Sequence, residues 1–262
     1  MNAPPELIHP PKRAVSLVPS ITETLFTLGF GEQIIGVTDY CIHPRGLVEN
    51  KIRIGNVKDP DISRILSLKP DLVIGNQEEN SKDSILALQA AGVPVWLTFP
   101  KTVDQMISML YDILGVFHSD QAAVAIKTLT SALDWTRSVY ADREPVRYFC
   151  PIWQERDGDV DWWMTFNAET YSHDLLRVFN GENVFGGLQR MYPIEANYGE
   201  TEAEEPGERD TRYPIVQKED VIDANPQLIL LPSEPFEYDE EARVKIMNTF
   251  DGTDAVKNSN VH

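Results

Sequence analysis

Positive charge is scarce in this sequence. Lysine and arginine total 23 against 41 aspartates and glutamates, so the formal net charge at pH 7 is -18. A surface of that sign repels phosphate backbones and anionic headgroups, which argues against nucleic acid and against insertion into an acidic membrane. Cysteine is scarcer still: only Cys41 and Cys150 occur, far apart. The lack of any Cys-x-x-Cys excludes a zinc ribbon and a dithiol redox motif, and two reduced, partly buried thiols are expected. No apolar run reaches the length of a membrane-spanning helix. Residues 1–13 hold neither an apolar stretch nor a small-residue cleavage site, so the chain as given is expected in the cytoplasm, or in the periplasm if a leader has been removed.

Catalytic signatures are missing too. There is no G-x-S-x-G, no H-E-x-x-H, no Walker loop and no G-x-G-x-x-G. The histidines are His9, His43, His118, His173 and His262. No two of them stand three or four residues apart, so no metal site on a single helix is expected. The expectation is a protein without catalysis, resident metal or intrinsic cofactor. An enzyme would need a cluster gathered in space, for which Asp39, Glu78 and Glu234 are the candidates.

What the sequence does have is a phrase used twice. Residues 62–75 and 219–232 each read as a short amphipathic helix, a stop at Pro-Asp or Pro-Gln, and a wholly apolar strand. The repeat predicts two similar α/β lobes with a cleft between them. At 262 residues the chain is long enough for two modest domains, each with its own core. Alternating strands and helices with short turns imply parallel βαβ units. The expected boundaries are an N-terminal lobe over 13–118, a helix over 119–141 and a C-terminal lobe over 144–262. Residues 119–141 contain no Gly or Pro and have apolar positions at helical spacing, which suits a strut between lobes.

Strands are predicted at 14–18, 34–37, 93–97 and 146–152, and helices at 82–91, 103–116 and 170–179. Ser20 and Glu23 have the spacing of a capping box, so a helix is expected to start at Ser20. Residues 195–212 carry seven acids and little apolar content, and a solvated, mobile loop is expected there. Tyr40 is placed in the loop after one strand, Trp162, Trp163 and Met164 in the loop after another, and Tyr213 just before the second repeated phrase. Such loops flank the side of open α/β sheets that binds ligands. Tyrosine and tryptophan offer large faces with one polar atom each, suited to a broad ligand. Ser20, at a strand end, could present helix amides to a ligand or simply cap the helix. Glu234, between Pro232 and Pro235, is either a rigid contact residue or part of a plain turn.

Residues 13–25, 37–44, 68–74, 180–185 and 212–214, in that order, resemble the cobalamin and siderophore substrate-binding proteins of ABC importers, above all the vitamin B12-binding branch. The resemblance implies two Rossmann-like lobes with parallel sheets joined by one long backbone helix. It implies an extracytoplasmic receptor that holds a corrinoid, haem or ferric siderophore in an interlobe cleft and passes it to an ABC permease; the alternative is a cytoplasmic relative that handles or senses corrinoids or metals without a transport role. One cleft per chain suggests a monomer. By the same resemblance Tyr40 and Gln77 line the first lobe's share of the cleft, Trp162 and Trp163 belong to a contacting loop, and Tyr213 faces the corrin. Glu219 matches one of two glutamates that dock on the transporter. Ser63 stands where the other belongs, with Asp59 or Asp61 as the nearest substitutes. The chain departs from the pattern in a longer acidic stretch near 195–210. It also departs in a second lobe that looks short at its C-terminus.

Overall fold

Apolar strands alternating with short amphipathic helices give a mixed α/β architecture. The computed structural model describes residues 3–157 and 160–262. The chain divides into two units, Met1–Pro100 with Asp104–Ser131, and Lys101–Val103 with Ala132–His262.

The first unit begins β1 (Ala14–Ser16), α1 (Pro19–Thr27), β2 (Ile34–Val37), β3 (Ile52–Arg53), α2 (Ile62–Ser67) and β4 (Leu72–Asn76). It continues with α3 (Lys82–Ala90), β5 (Val95–Thr98) and α4 (Val103–Val116). Its five strands form one parallel sheet in the order β3-β2-β1-β4-β5. Ala14, Val15, Leu72, Val73 and Ile74 are fully buried, as parallel strands covered on both faces require. The winding reverses between β1 and β4. In open α/β sheets ligands bind outside the carboxyl ends of the strands at such a switch point.

The helix α5 (Ala123–Tyr140) follows, and the division between units falls within it, after Ser131. It is shorter than 119–141 at its start, where Ala123 N donates instead to Asp120 O in a turn at 2.9 Å. The start of α1 also differs from expectation. Its N-cap is Val18, in extended conformation, and Pro19 takes the first helical position. Pro suits that place because its missing N–H would be unsatisfied there anyway. Ser20 is therefore inside the first turn and caps nothing, so the Ser20–Glu23 capping box does not form.

The second unit contains β6 (Val146–Phe149), β7 (Trp153–Asp157), β8 (Val160–Met164), α6 (Tyr171–Val178) and β9 (Gly181–Asn183). It ends with β10 (Ile215–Val216), α7 (Lys218–Ala224), β11 (Leu228–Ile229), α8 (Glu240–Thr249) and α9 (Asp254–Lys257). A parallel sheet runs β11-β6-β9, and Val261 bridges to Ile229 in parallel. A second sheet, β10-β8-β7, is antiparallel, which a reading in parallel βαβ units alone did not anticipate. The core gathers Phe149, Trp163, Val216, Val221, Ile246 and Phe250. Phe149 meets Phe250 edge-on at 5.9 Å, and Trp163 meets Phe250 at 4.9 Å. These are the geometries that ring quadrupoles favour.

The repeated phrase is a repeated structure. In the first copy Lys69, with φ 49°, ends α2, and in the second Asn225, with φ 44°, ends α7. A proline follows each and forbids another helical turn. One arginine then clasps each copy. Arg13 Nη2 donates to Leu68 O at 2.5 Å and Arg13 Nε to Lys69 O at 3.3 Å. Arg147 Nη2 donates to Ala224 O at 3.1 Å and also to Asn225 O. The residue after each proline closes the clasp. Asp71 accepts from Arg13 N at 3.0 Å, and Gln227 accepts from Arg147 N at 3.0 Å. Each guanidinium thus satisfies carbonyls that the helix end leaves without partners, at the negative end of the dipole.

Residues 189–212 carry more internal structure than their composition suggested. The Tyr192 ring lies against the guanidinium of Arg209 at 4.3 Å and that of Arg190 at 5.2 Å. Its hydroxyl donates to Asp210 O at 2.7 Å. Cation–π contact and one hydrogen bond close the loop on its own tyrosine.

Candidate functional site

Within the first unit, three of the predicted residues follow the carboxyl ends of parallel strands. Ser20 comes after β1, Tyr40 after β2 and Gln77 directly after β4. All three are exposed, and Ser20 and Gln77 flank the switch point. The β4 end is fixed by Asn80, which is buried. Its Oδ1 accepts from Asn76 N at 2.9 Å, and its Nδ2 donates to Val57 O at 2.9 Å. Gly75 leaves room for this, since a Cβ there would stand 2.5 Å from Asn80 Oδ1. Gln77 N donates to Thr98 O at 3.0 Å, tying the loop to the β5 end.

Tyr40 is 59% exposed at the tip of a tight turn in which Cys41 N donates to Thr38 O. Beneath it Cys41 is fully buried, with the hydroxyls of Thr22 and Thr38 each 3.1 Å from its sulfur. An apolar groove of about 420 Å³ runs along α1, lined by Ser20, Thr24, Leu28, Leu110 and Ile126 among others. Tyr40 and Gln77 are not part of it.

Within the second unit, Glu234 follows β11 in an exposed loop, much as Gln77 follows β4. Tyr213 is half-buried and packs against Tyr148, Cys150 and Phe166. The Arg212 guanidinium lies 5.4 Å from its ring centre. Arg212 is also paired with Asp210, its Nε donating to Oδ1 at 2.9 Å. Burial pushes the Asp210 carboxyl up, but the hydrogen bonds and charge of Arg212 outweigh it and hold the group below its ordinary value. Burial pushes the Cys150 thiol up to about 12 and the Tyr148 hydroxyl upward as well. Neither group ionises near neutral pH, so the packing behind Tyr213 is uncharged.

Trp162 and Trp163 are not on a loop. Both lie on β8, 4% and 2% exposed. Successive strand residues face opposite sides, and Trp163 enters the core beside Phe250 while its Nε1 donates to Gln154 Oε1 at 3.2 Å. The signal for a strand pair was present in the sequence: Gly-Asp at 158–159, between two segments that carry tryptophans, is a hairpin dipeptide. A deepening in this unit, about 770 Å³, is lined by Gln154, Asp161, Lys218, Phe236, Glu241 and Lys245 among others and does not reach Tyr213.

Aligned on their prolines, the two copies of the phrase set Ser63 opposite Glu219. Glu219 is exposed in the first turn of α7. The Ser63 hydroxyl donates to Asp61 Oδ1 at 2.7 Å, and Asp61 also accepts from Arg64 N at 2.9 Å as the N-cap of α2. The Arg64 amide and the Ser63 hydroxyl hold the Asp61 carboxyl below its ordinary value. Asp59 is exposed nearby. Among the described residues no group of three or more His, Cys, Asp or Glu could hold a metal ion. No described helix is long and apolar enough to cross a membrane.

Known proteins share this fold. The vitamin B12-binding protein of Yersinia pestis (strain Pestoides F) is 27% identical over 184 residues, 70% of this chain and 63% of that protein. The match therefore spans less than two thirds of that relative's length. The crystal structure of the periplasmic vitamin B12-binding protein of Vibrio cholerae superposes with a TM-score of 0.72, at 23% identity over 97% of this chain and 87% of that one. A periplasmic haem-binding protein from Roseiflexus sp. RS-1 gives 0.67 at 21% identity, over 95% and 88%. At these identities the superpositions establish the two-lobed binding-protein fold. Both of these solved structures are described as periplasmic, and nothing among these relatives supports the expected cytoplasmic placement. The model of the periplasmic binding protein family matches residues 15–262. The chain belongs to the periplasmic binding protein family.

Proposed function

We propose that this protein binds a corrinoid without transforming it and serves as the extracytoplasmic substrate-binding component of an ABC importer. The observation that carries the proposal is the strand-end placement in each unit. Ser20, Tyr40 and Gln77 follow parallel strands of the first, and Glu234 follows the corresponding strand of the second. With Tyr213 these residues would contact the ligand. Two phenols, an amide, a hydroxyl and a carboxylate suit a broad ligand edged with neutral amides. No lysine or arginine is among them, and Arg212 beside Tyr213 is already paired with Asp210. Haem carries two propionates and many ferric siderophores are anionic. Both would meet a surface of their own sign on a chain of net charge -18.

Trp162 and Trp163 drop out of the contact set because burial occupies them. Glu219 is proposed to meet a basic patch on the permease, with Asp59 as the freer of the two acids near Ser63. One ligand per monomeric chain is proposed. The test is a panel of hydroxocobalamin, haemin and ferric catecholate and hydroxamate siderophores, read by absorption spectra after desalting. Retention of hydroxocobalamin above the others is expected. Preferential retention of haemin or a ferric siderophore would overturn the corrinoid assignment, and retention of none would overturn the binding function.

A further inference from the structure

We propose that Arg53 is a positioning residue for ligand binding, acting through the turn that presents Tyr40. The inference rests on Tyr40 being a ligand contact.

Arg53 is on β3, at the edge of the sheet next to β2. Its side chain is part-buried, and Nη1 donates to Thr38 O at 2.9 Å and to Cys41 O at 2.8 Å. Those carbonyls belong to the first and last residues of the turn that carries Asp39 and Tyr40. One nitrogen therefore staples both ends of the turn. The turn's own bond runs from Cys41 N to Thr38 O, and Asp39 N donates to Gly55 O at 2.9 Å on the β3 side.

The floor of the turn is equally constrained. The Thr22 hydroxyl contacts Ser16 Oγ at 2.8 Å and Cys41 Sγ at 3.1 Å, and Thr38 Oγ1 contacts the same sulfur. Ser16, Thr22, Thr38 and Cys41 are all fully buried. They join the end of β1, the helix α1 and the end of β2 in one polar cluster. Thr22 sits in the same helix as Ser20, so the cluster also fixes the Tyr40 turn relative to Ser20. Arg53 is the cation of this arrangement, and Thr38 O and Cys41 O, which accept from it, are main-chain atoms of the turn. A side chain so placed does not need to touch the ligand to affect affinity. It raises the fraction of time that Tyr40 spends in the binding geometry. If that fraction falls to about one tenth without it, apparent affinity falls about tenfold.

The test is a double-mutant cycle on Tyr40→Ala and Arg53→Met, with Arg53→Lys as the milder variant should Arg53→Met fold poorly. Dissociation constants are measured for hydroxocobalamin, or for haemin if that is what the wild-type protein retains, well below each variant's melting temperature. The expected result is a loss of about tenfold for Arg53→Met and a smaller loss for Arg53→Lys. In the Tyr40→Ala background Arg53→Met should add less than about twofold, because the group it positions is gone. Equal losses in both backgrounds, or no loss in either, would overturn the positioning role while leaving the binding function intact. No effect of Tyr40→Ala itself would remove Tyr40 from the site and this inference with it. Retention of neither ligand by the wild type would overturn the proposed function and everything resting on it.

Discussion

Replacing Arg147 with methionine removes the guanidinium from the clasp of the second unit and leaves most of the aliphatic stem in place. What is lost is the donation to Ala224 O and Asn225 O at the end of α7. A hydrogen bond to a charged group contributes about 1.5–3 kcal/mol. Both carbonyls sit at a helix terminus where water can replace part of the loss, and the helix dipole adds a few tenths. The net cost is about 2 kcal/mol. For a domain of this size that corresponds to a fall in melting temperature of roughly 4–8 °C. Tryptophan fluorescence is the suitable signal, because Trp135, Trp153, Trp162 and Trp163 belong to the second unit and only Trp96 to the first. Arg147→Lys keeps the charge but not the forked reach, and should lose about half as much. A melting temperature within about 1 °C of wild type for Arg147→Met would refute the reasoning. So would identical losses for Arg147→Met and Arg147→Lys.

Gly75→Ala puts a Cβ 2.5 Å from Asn80 Oδ1 and must displace the side chain that joins the β4 end to Val57. It should cost about 1–3 kcal/mol, read as a lower urea midpoint; an unchanged midpoint would show that Asn80 yields freely. Burial raises the Cys150 thiol from 9.0 to about 12, so its stabilising effect is complete below about pH 9 and is lost as pH rises toward 12. Unfolding free energy should therefore decline across that window, and more gently in Cys150→Ala. An equal slope in the two proteins would argue that the thiol is hydrated in the folded state.

The elements legible in the sequence were those whose signals are local. β2 and α4 fall on their predicted bounds, because a short apolar run after Gly31 and a strong helical period each speak for themselves. The repeated phrase carried its own punctuation, with Pro70 and Pro226 marking where each helix must stop. The spacing of Ser20 to Glu23 suits a cap, but Pro19 takes the first helical position and moves the helix start back one residue. Sequence alone puts Trp162 and Trp163 on a loop, because tryptophan after a strand looks like a ligand platform. Their true position depends on β7 and β10 pairing on either side of β8, a contact across more than fifty residues in the case of β10. The clasps of Arg13 and Arg147 and the staple of Arg53 were invisible for the same reason. Each arginine bonds main-chain carbonyls, which carry no sequence signature. Of the candidate site, the strand-end residues were therefore readable, and the groups that hold them in place were not.

The central claim is that aromatic and amide-bearing strand-end loops of this chain hold a corrinoid. Equilibrium dialysis of the purified protein against hydroxocobalamin tests it most directly, with wild type, Tyr40→Ala and Tyr213→Ala compared side by side. The account predicts one corrinoid bound per wild-type chain and an affinity about tenfold or more weaker in each variant, the usual scale for an aromatic anchor. Wild-type protein that retains no hydroxocobalamin, or variants that bind it as tightly as wild type, would contradict it.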